Sequence, residues 1–216
     1  MNPKILLATI TSDLPRYYEY YDSLDRLILP PGTDKCQIHS SSPAKNRNVV
    51  IKKALERDYT HIFFTDDDNV FLPDTLMKLL KRNVDIVSGI YTIKYPPFSI
   101  IALNDTEFIN MNQYEPGELV EVPRAPAGCL LVRISALIKM QAYIDEKWFT
   151  IGQIHSDLWG DDLWFCDYAR KAGLRIYLDT DVPVGHMTKC VLWPKYNKEE
   201  KRWEVDFSIN GSKDAV

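Results

Sequence analysis

The sequence predicts an α/β fold: a mostly parallel central sheet flanked by helices, with a small antiparallel extension. Three observations lead there. Short apolar runs such as KILLATIT, HIFFT and DIVSGIY have the length and composition of buried strands. Segments with helical spacing separate them, and strand–helix alternation is the mark of a mostly parallel sheet. Between Pro96 and Arg124 the alternation gives way to short segments rich in turn residues, which read as the antiparallel excursion.

Lys4 to Thr11 is the first strand, stopped by Ser12-Asp13-Leu14-Pro15. A helix is expected over Arg16 to Leu27, with Tyr17, Tyr20, Tyr21, Leu24 and Leu27 on one side, and Pro30-Pro31-Gly32 breaks it. Cys36 to His39 reads as a short second strand before the turn Ser40-Ser41-Ser42-Pro43. The spacing predicts a helix over Lys45 to Arg57, with Val49, Val50, Lys53 and Ala54 as its repeating face. His61 to Thr65 is a strand that ends in Asp66-Asp67-Asp68. Pro73-Asp74-Thr75 opens a helix with Leu76, Leu79 and Leu80 as its apolar stripe and Asp74 as its cap. Asp85 to Tyr91 and Gly128 to Val132 are further strands, and Ile134 to Met140 is a short helix. Asp162 to Ala172 is a helix with Leu163, Cys166 and Ala169 inward and Gly173 as its stop. Arg175 to Leu178 and Val182 to His186 return to the sheet. No linker or repeat divides the chain, so residues 1–190 are expected as one domain, with 191–216 a tail packing on or near its site.

Composition narrows the function classes. Hydrophobic side chains make up 45% of 216 residues and charged ones 26%, which is ordinary for a globular chain with a sizeable core. A net charge of -4 supplies no global basic field for nucleic acid or an anionic membrane. Cys36, Cys129, Cys166 and Cys190 form no CxxC pair and read as reduced thiols, not as a disulfide framework or zinc site. The N-terminal MNPKILLATI reads as a strand and not as a leader, and no apolar run approaches the roughly 20 residues of a membrane span, so the cytoplasm is the expected address.

Candidate chemistry gathers at strand ends. Three consecutive acids after an apolar strand sit at the carboxyl edge of an α/β sheet, where such folds bind ligands. Their mutual repulsion is relieved by a cation, and Mg²⁺ or Mn²⁺ takes one or two carboxylates together with phosphate oxygens. A solvated acidic turn is the simpler alternative. Gly160-Asp161-Asp162 enters a helix, where the dipole favours acids and where a second carboxylate is a candidate general base. Val184-Gly185-His186 offers an imidazole as a metal ligand or as a structural group. Lys45 and Arg47 follow a Ser-rich turn, suiting a phosphate or nucleobase edge as well as they suit solvent. His39, His61 and His155 have no such context.

The blocks KILLATITS, AKNRNVVIKKALERDYTHIFFTDDDNVFLPDTLMKLL, DIVSGIY, APAGCLLVRISAL and GDDLWFCDYARKAGLRIYLDTDVPVGH occur in that order from Lys4 to Lys189. In this the chain resembles the nucleotide-sugar glycosyltransferases of the GT-A (Rossmann-like) fold. It is most similar to inverting family-two-like enzymes and to short members often found in phages and viruses, whose address would be the host cytoplasm. The resemblance implies a DxD motif at Asp66 and Asp68, with Asp68 on a metal that bridges the diphosphate and Asp66 on the ribose or the metal shell. The middle acid, Asp67, leaves more than one ligand pair open. Thr9, Thr11, Lys45 and Arg47 would border the nucleotide, and Gly128, after Ala127, would line the sugar and acceptor pocket. The family's Glu-Asp pair falls on Asp161-Asp162, which places the base at Asp162 or, by a slip of one, at Asp161. His186 would complete the metal site. The implied cofactors are Mn²⁺ or Mg²⁺ and a nucleotide-sugar, UDP being the commonest nucleotide in the family and GDP or dTDP fitting the same motifs.

Two rivals remain at this level. A nucleotidyltransferase would show a Gly-rich loop near the first strand, where this chain has TITSDLPR. A non-catalytic carbohydrate- or nucleotide-binding module would use aromatics such as Trp159, Trp164, Trp193 and Trp203 without needing the acids. The acceptor, whether glycan, protein or modified nucleic acid, is not readable from the sequence, nor is retention against inversion.

Overall fold

A computed structural model describes residues 3–11, 17–104, 107–151, 153–154, 158–188 and 191–208. The expectations for Ser12 to Arg16, His155, Lys189, Cys190 and the last eight residues lie outside them.

The first half builds parallel strands. β1 (Ile5–Thr11) is buried along its whole length, as a central parallel strand should be. After helix α1 (Tyr18–Asp25), β2 (Asp34–His39) pairs parallel to β1, and after helix α2 (Pro43–Leu55), β3 (His61–Asp66) pairs parallel to its other side. The two-residue β4 (Asn69–Val70), helix α3 (Thr75–Arg82) and β5 (Ile86–Ile90) follow.

An excursion of almost forty residues then begins at the carboxyl edge, with isolated antiparallel bridges such as Thr92 with Ile100 and the short strand β6 (Leu119–Glu121). β7 (Cys129–Arg133) starts beside the end of β3 and runs antiparallel between β3 and β5. Helix α4 (Ile134–Met140), the small pair β8 (Gln153–Ile154) and β9 (Leu158–Trp159), and helix α5 (Asp161–Lys171) lead to β10 (Tyr177–Pro183), parallel to β5. β6 closes that edge antiparallel to β10, giving the order β2-β1-β3-β7-β5-β10-β6. The sheet is thus mostly parallel with two reversed strands. A second sheet, β4 with β11 (Gly185–Met187), β12 (Val191–Asn197) and β13 (Arg202–Ser208), ties the acidic turn to the end of the chain.

Period-two alternation splits the core between the sheet's faces. Leu6, Ala8, Ile62, Phe64 and Val132 face α2, α4 and α5, whereas Ile5, Leu7, Phe63 and Leu131 face α1 and α3. Gly173, in the left-handed region at φ 69°, stops α5 as expected. Of the thiols, Cys129 and Cys166 are buried and Cys36 is half-buried, all three free.

Two local expectations need correction. In α2 the buried stripe is Ala44, Arg47, Val50, Ile51 and Ala54, while Lys53 is exposed and Val49 half-buried. The helix is turned so that Arg47, not an apolar residue, points inward toward two carboxylates. Asp74 stands at the start of α3 but makes no capping bond, because its ψ of 1° carries the side chain away from the first amides. It pairs with Lys78 at 3.2 Å instead.

Candidate active site

The three acids after β3 diverge, and each has a different partner. Asp66 turns toward α2, where Arg47 Nη2 donates to both its oxygens at 2.6 and 2.8 Å. Asp67 is buried against β1 and accepts from Thr11 Oγ1 at 2.6 Å. Asp68 faces the second sheet, accepting from Lys94 Nζ at 2.5 Å and lying 3.8 Å from His186 Nε2. Repulsion among adjacent carboxylates is thus relieved by separation and by two cations.

Arg47 joins the two acidic loops. Its Nη1 donates to Asp161 at 2.6 Å while its other amine holds Asp66, and the guanidinium lies over the Phe149 ring at 5.4 Å. At 3% exposure it is a buried cation whose charge the surrounding carboxylates hold in place, raising its pKa against the cost of burial. Burial pushes the Asp66 carboxyl up to about 7, helped by Asp68 and Asp161 and opposed by Arg47. Burial pushes Asp162 up to about 6, helped by Asp161 and opposed by Arg47. Asp162 thus titrates close to neutral pH at the head of α5.

His186 is set as a ligand would be. Its Nδ1 lies 2.6 Å from the Thr92 carbonyl oxygen, which can only accept, so Nδ1 bears the proton and the Nε2 lone pair faces Asp68. Burial lowers its pKa, which keeps the ring neutral, and Tyr91 packs edge-to-face against it at 5.1 Å. A carboxylate oxygen and an imidazole lone pair therefore face one another, a donor set suited to Mn²⁺ or Mg²⁺ completed by phosphate oxygens. Asp66, the third expected ligand, is directed at Arg47, and among the described residues no three His, Cys, Asp or Glu side chains converge.

Gly128 is required by close approach. β7 starts where β3 ends, so Asp66 N donates to the Gly128 carbonyl at 3.0 Å, and Gly128 N donates to the Tyr91 hydroxyl at 2.8 Å. A Cβ there would collide with Asn69 Oδ1, come within 2.6 Å of the Tyr91 hydroxyl and reach Asp66 Oδ2 at 3.2 Å. Gly128→Ala is expected to cost about 1–3 kcal/mol by overpacking, measured by denaturant unfolding, and to displace the DxD turn.

Two expected residues stand apart from the carboxylates. Thr9 is buried in a hydroxyl chain with Tyr20 and Thr65, at 2.7 and 2.9 Å. The Lys45 side chain is exposed, and its backbone N–H is capped by Ser42 at 3.3 Å. Sequence reasoning missed Tyr91, Asn69, Thr92 and Phe149. The first three follow the ends of strands β5 and β3, and that position was the available signal; Phe149 had none.

No protein-family model matches the chain, and no curated protein matches it in sequence. Among solved structures it is similar to A197 from STIV, with a TM-score of 0.61 and 16% identity over 94% of this chain and 95% of that one. It also matches TarS of S. aureus at 13% identity and a TM-score of 0.45, over 80% of this chain and 34% of that one. A TarS 1–349 structure matches at 13% identity and 0.47, over 81% and 58%. The end-to-end correspondence with A197 shows a shared mixed α/β fold of the GT-A-like type.

Proposed function

We propose that the chain is a metal-dependent glycosyltransferase that moves a sugar from a nucleotide diphosphate-sugar to an acceptor hydroxyl with inversion. The observation behind this reading is the neutral His186 imidazole facing Asp68, on the same sheet edge as the Arg47-linked pair of acidic loops. Asp68 and His186 would hold Mn²⁺ or Mg²⁺, and the bound ion would stabilise charge developing on the leaving diphosphate. Asp162 accepts the proton of the attacking hydroxyl. Arg47 fixes Asp66 and Asp161 on either side, leaving Asp66 to meet the ribose. Lys94 Nζ, resting on Asp68, adds a positive charge beside the diphosphate. A UDP-sugar is the favoured donor.

Calorimetric titration with UDP, GDP and dTDP, each with Mn²⁺ and again with EDTA, tests the reading. One nucleotide is expected to bind only with metal. Asp68→Ala should weaken that binding by at least the roughly 10–100-fold typical of losing an outer-shell partner. Failure of all three to bind a chain whose circular dichroism is intact would overturn the reading.

A further inference from the structure

We propose that the cleft between the excursion after β5 and strand β13 is a subsite for a neutral saccharide, which serves as the acceptor. The word acceptor rests on the transferase reading above; the saccharide chemistry does not. The cleft encloses about 320 Å³ and is walled by Thr92, Phe98, Phe108, Asn110, Asn112 and Trp203, among others. Its size is within the roughly 300–1,000 Å³ of small-ligand sites.

Its position follows from the backbone. Thr92 is one of the residues lining the cleft, and its carbonyl oxygen lies 2.6 Å from His186 Nδ1, from which it accepts. One residue therefore separates the cleft from the Asp68–His186 pair. Thr92 is 1% exposed, and its Oγ1 has no hydrogen-bond partner. A buried hydroxyl without a partner is costly, which marks the protein beside the cleft and the Asp68–His186 pair as polar.

The walls define the ligand's chemistry. Phe108 is 40% exposed, and Phe98 is held at φ 56°, a conformation that a bulky residue adopts only under constraint. Trp203 is fixed by its indole N–H, which donates to the Tyr114 carbonyl at 3.2 Å, and by edge-to-face packing on Tyr196. The Asn112 side-chain oxygen accepts from Trp203 N at 2.5 Å and that of Asn110 from Asn112 N at 3.1 Å, so both carboxamides are oriented through their oxygens. Glu204, the one ionisable group among the described lining residues, is held by Arg202 and Asn197, each at 3.1 Å. Aromatic side chains beside carboxamides are the residue types that match a sugar ring, with its C–H faces and its hydroxyls. Among the described residues the lining includes no Lys or Arg, so none of them offers a nucleic acid a partner for its phosphates.

Amide NMR spectra of the whole chain, titrated with neutral trisaccharides of glucose, galactose, mannose and N-acetylglucosamine and separately with the oligonucleotide dT8, test this. At least one trisaccharide should shift the amides of residues 98–100, 108–112 and 203–205. Phe108→Ala, at an exposed position, should weaken that binding about tenfold, equivalent to about 1.4 kcal/mol, with the rest of the spectrum unchanged. Trisaccharides that leave these amides unmoved, or bind Phe108→Ala equally well, overturn the proposal, as does dT8 shifting them instead. Metal-dependent nucleotide binding without any saccharide response sinks this inference alone. A saccharide response without nucleotide binding keeps the saccharide site and removes the transferase reading.

Discussion

Asp162→Asn is expected to lower the transfer rate roughly 10²–10⁴-fold, the usual share of a positioned general base, while metal-dependent nucleotide binding is retained. The substitution keeps the shape of the side chain and removes only its capacity to take a proton. Burial and the neighbouring Asp161 place the Asp162 carboxyl at about 6, so the wild-type rate should rise with pH through that value, as the base must be deprotonated to act. The stability effect runs the other way. A carboxyl whose folded pKa lies above its unfolded value of about 4 stabilises the fold below pH 4 and loses that contribution as pH rises toward 6. Asp162→Asn should therefore gain stability relative to wild type between pH 4 and pH 6, read by denaturant unfolding at both ends. Steady-state rates with paired calorimetry check the catalytic part. Full turnover in the variant would exclude Asp162 as the base, and a binding module would have no turnover to lose.

Arg47→Met is expected to destabilise the protein by about 3–5 kcal/mol at pH 7, the cost of leaving buried charge without its partner. One guanidinium here serves both Asp66 and Asp161 from a position 3% exposed to solvent. The apolar replacement fills much of the same space over Phe149, so loss of charge and not of packing dominates. Arg47→Lys should recover only part of the loss, because a point ammonium cannot reproduce the fork that reaches two carboxylates. Lowering the pH to 5 should shrink the deficit, since Arg47 is what holds the Asp66 carboxyl down: without it Asp66 is protonated more readily than in the wild type, and the difference between the two chains narrows as the wild-type carboxyl takes up its own proton below about 7. Urea unfolding at both pH values measures it. A loss under 1 kcal/mol at pH 7 would mean that the two acidic loops do not depend on Arg47.

The parallel half of the fold was legible because its strands are continuous apolar runs and its helices have clean periods. β1, β3 and β5 follow KILLATIT, HIFFT and DIVSGIY, and α4 occupies Ile134–Met140 as expected. The direction of β7 was not legible, since GCLLV reads the same either way and only the excursion before it reverses it. The facing of α2 was misjudged for a related reason. A periodicity argument assigns apolar residues inward, and Arg47 is drawn in by carboxylates 19 and 114 residues away. The acids and His186 were singled out because they follow strands or open a helix, and Gly128 through the family resemblance. Their separate partners were not, because Lys94, Tyr91 and Thr92 reach them only through tertiary contact.

In the proposed site Asp68 and His186 would hold a divalent ion that carries a nucleotide diphosphate. Anomalous diffraction from a crystal soaked with Mn²⁺ and UDP tests it most directly. A manganese peak is expected within coordination distance of an Asp68 carboxylate oxygen and His186 Nε2, with diphosphate oxygens completing the shell. A nucleotide bound with its manganese elsewhere, or bound with no metal at all, would contradict it.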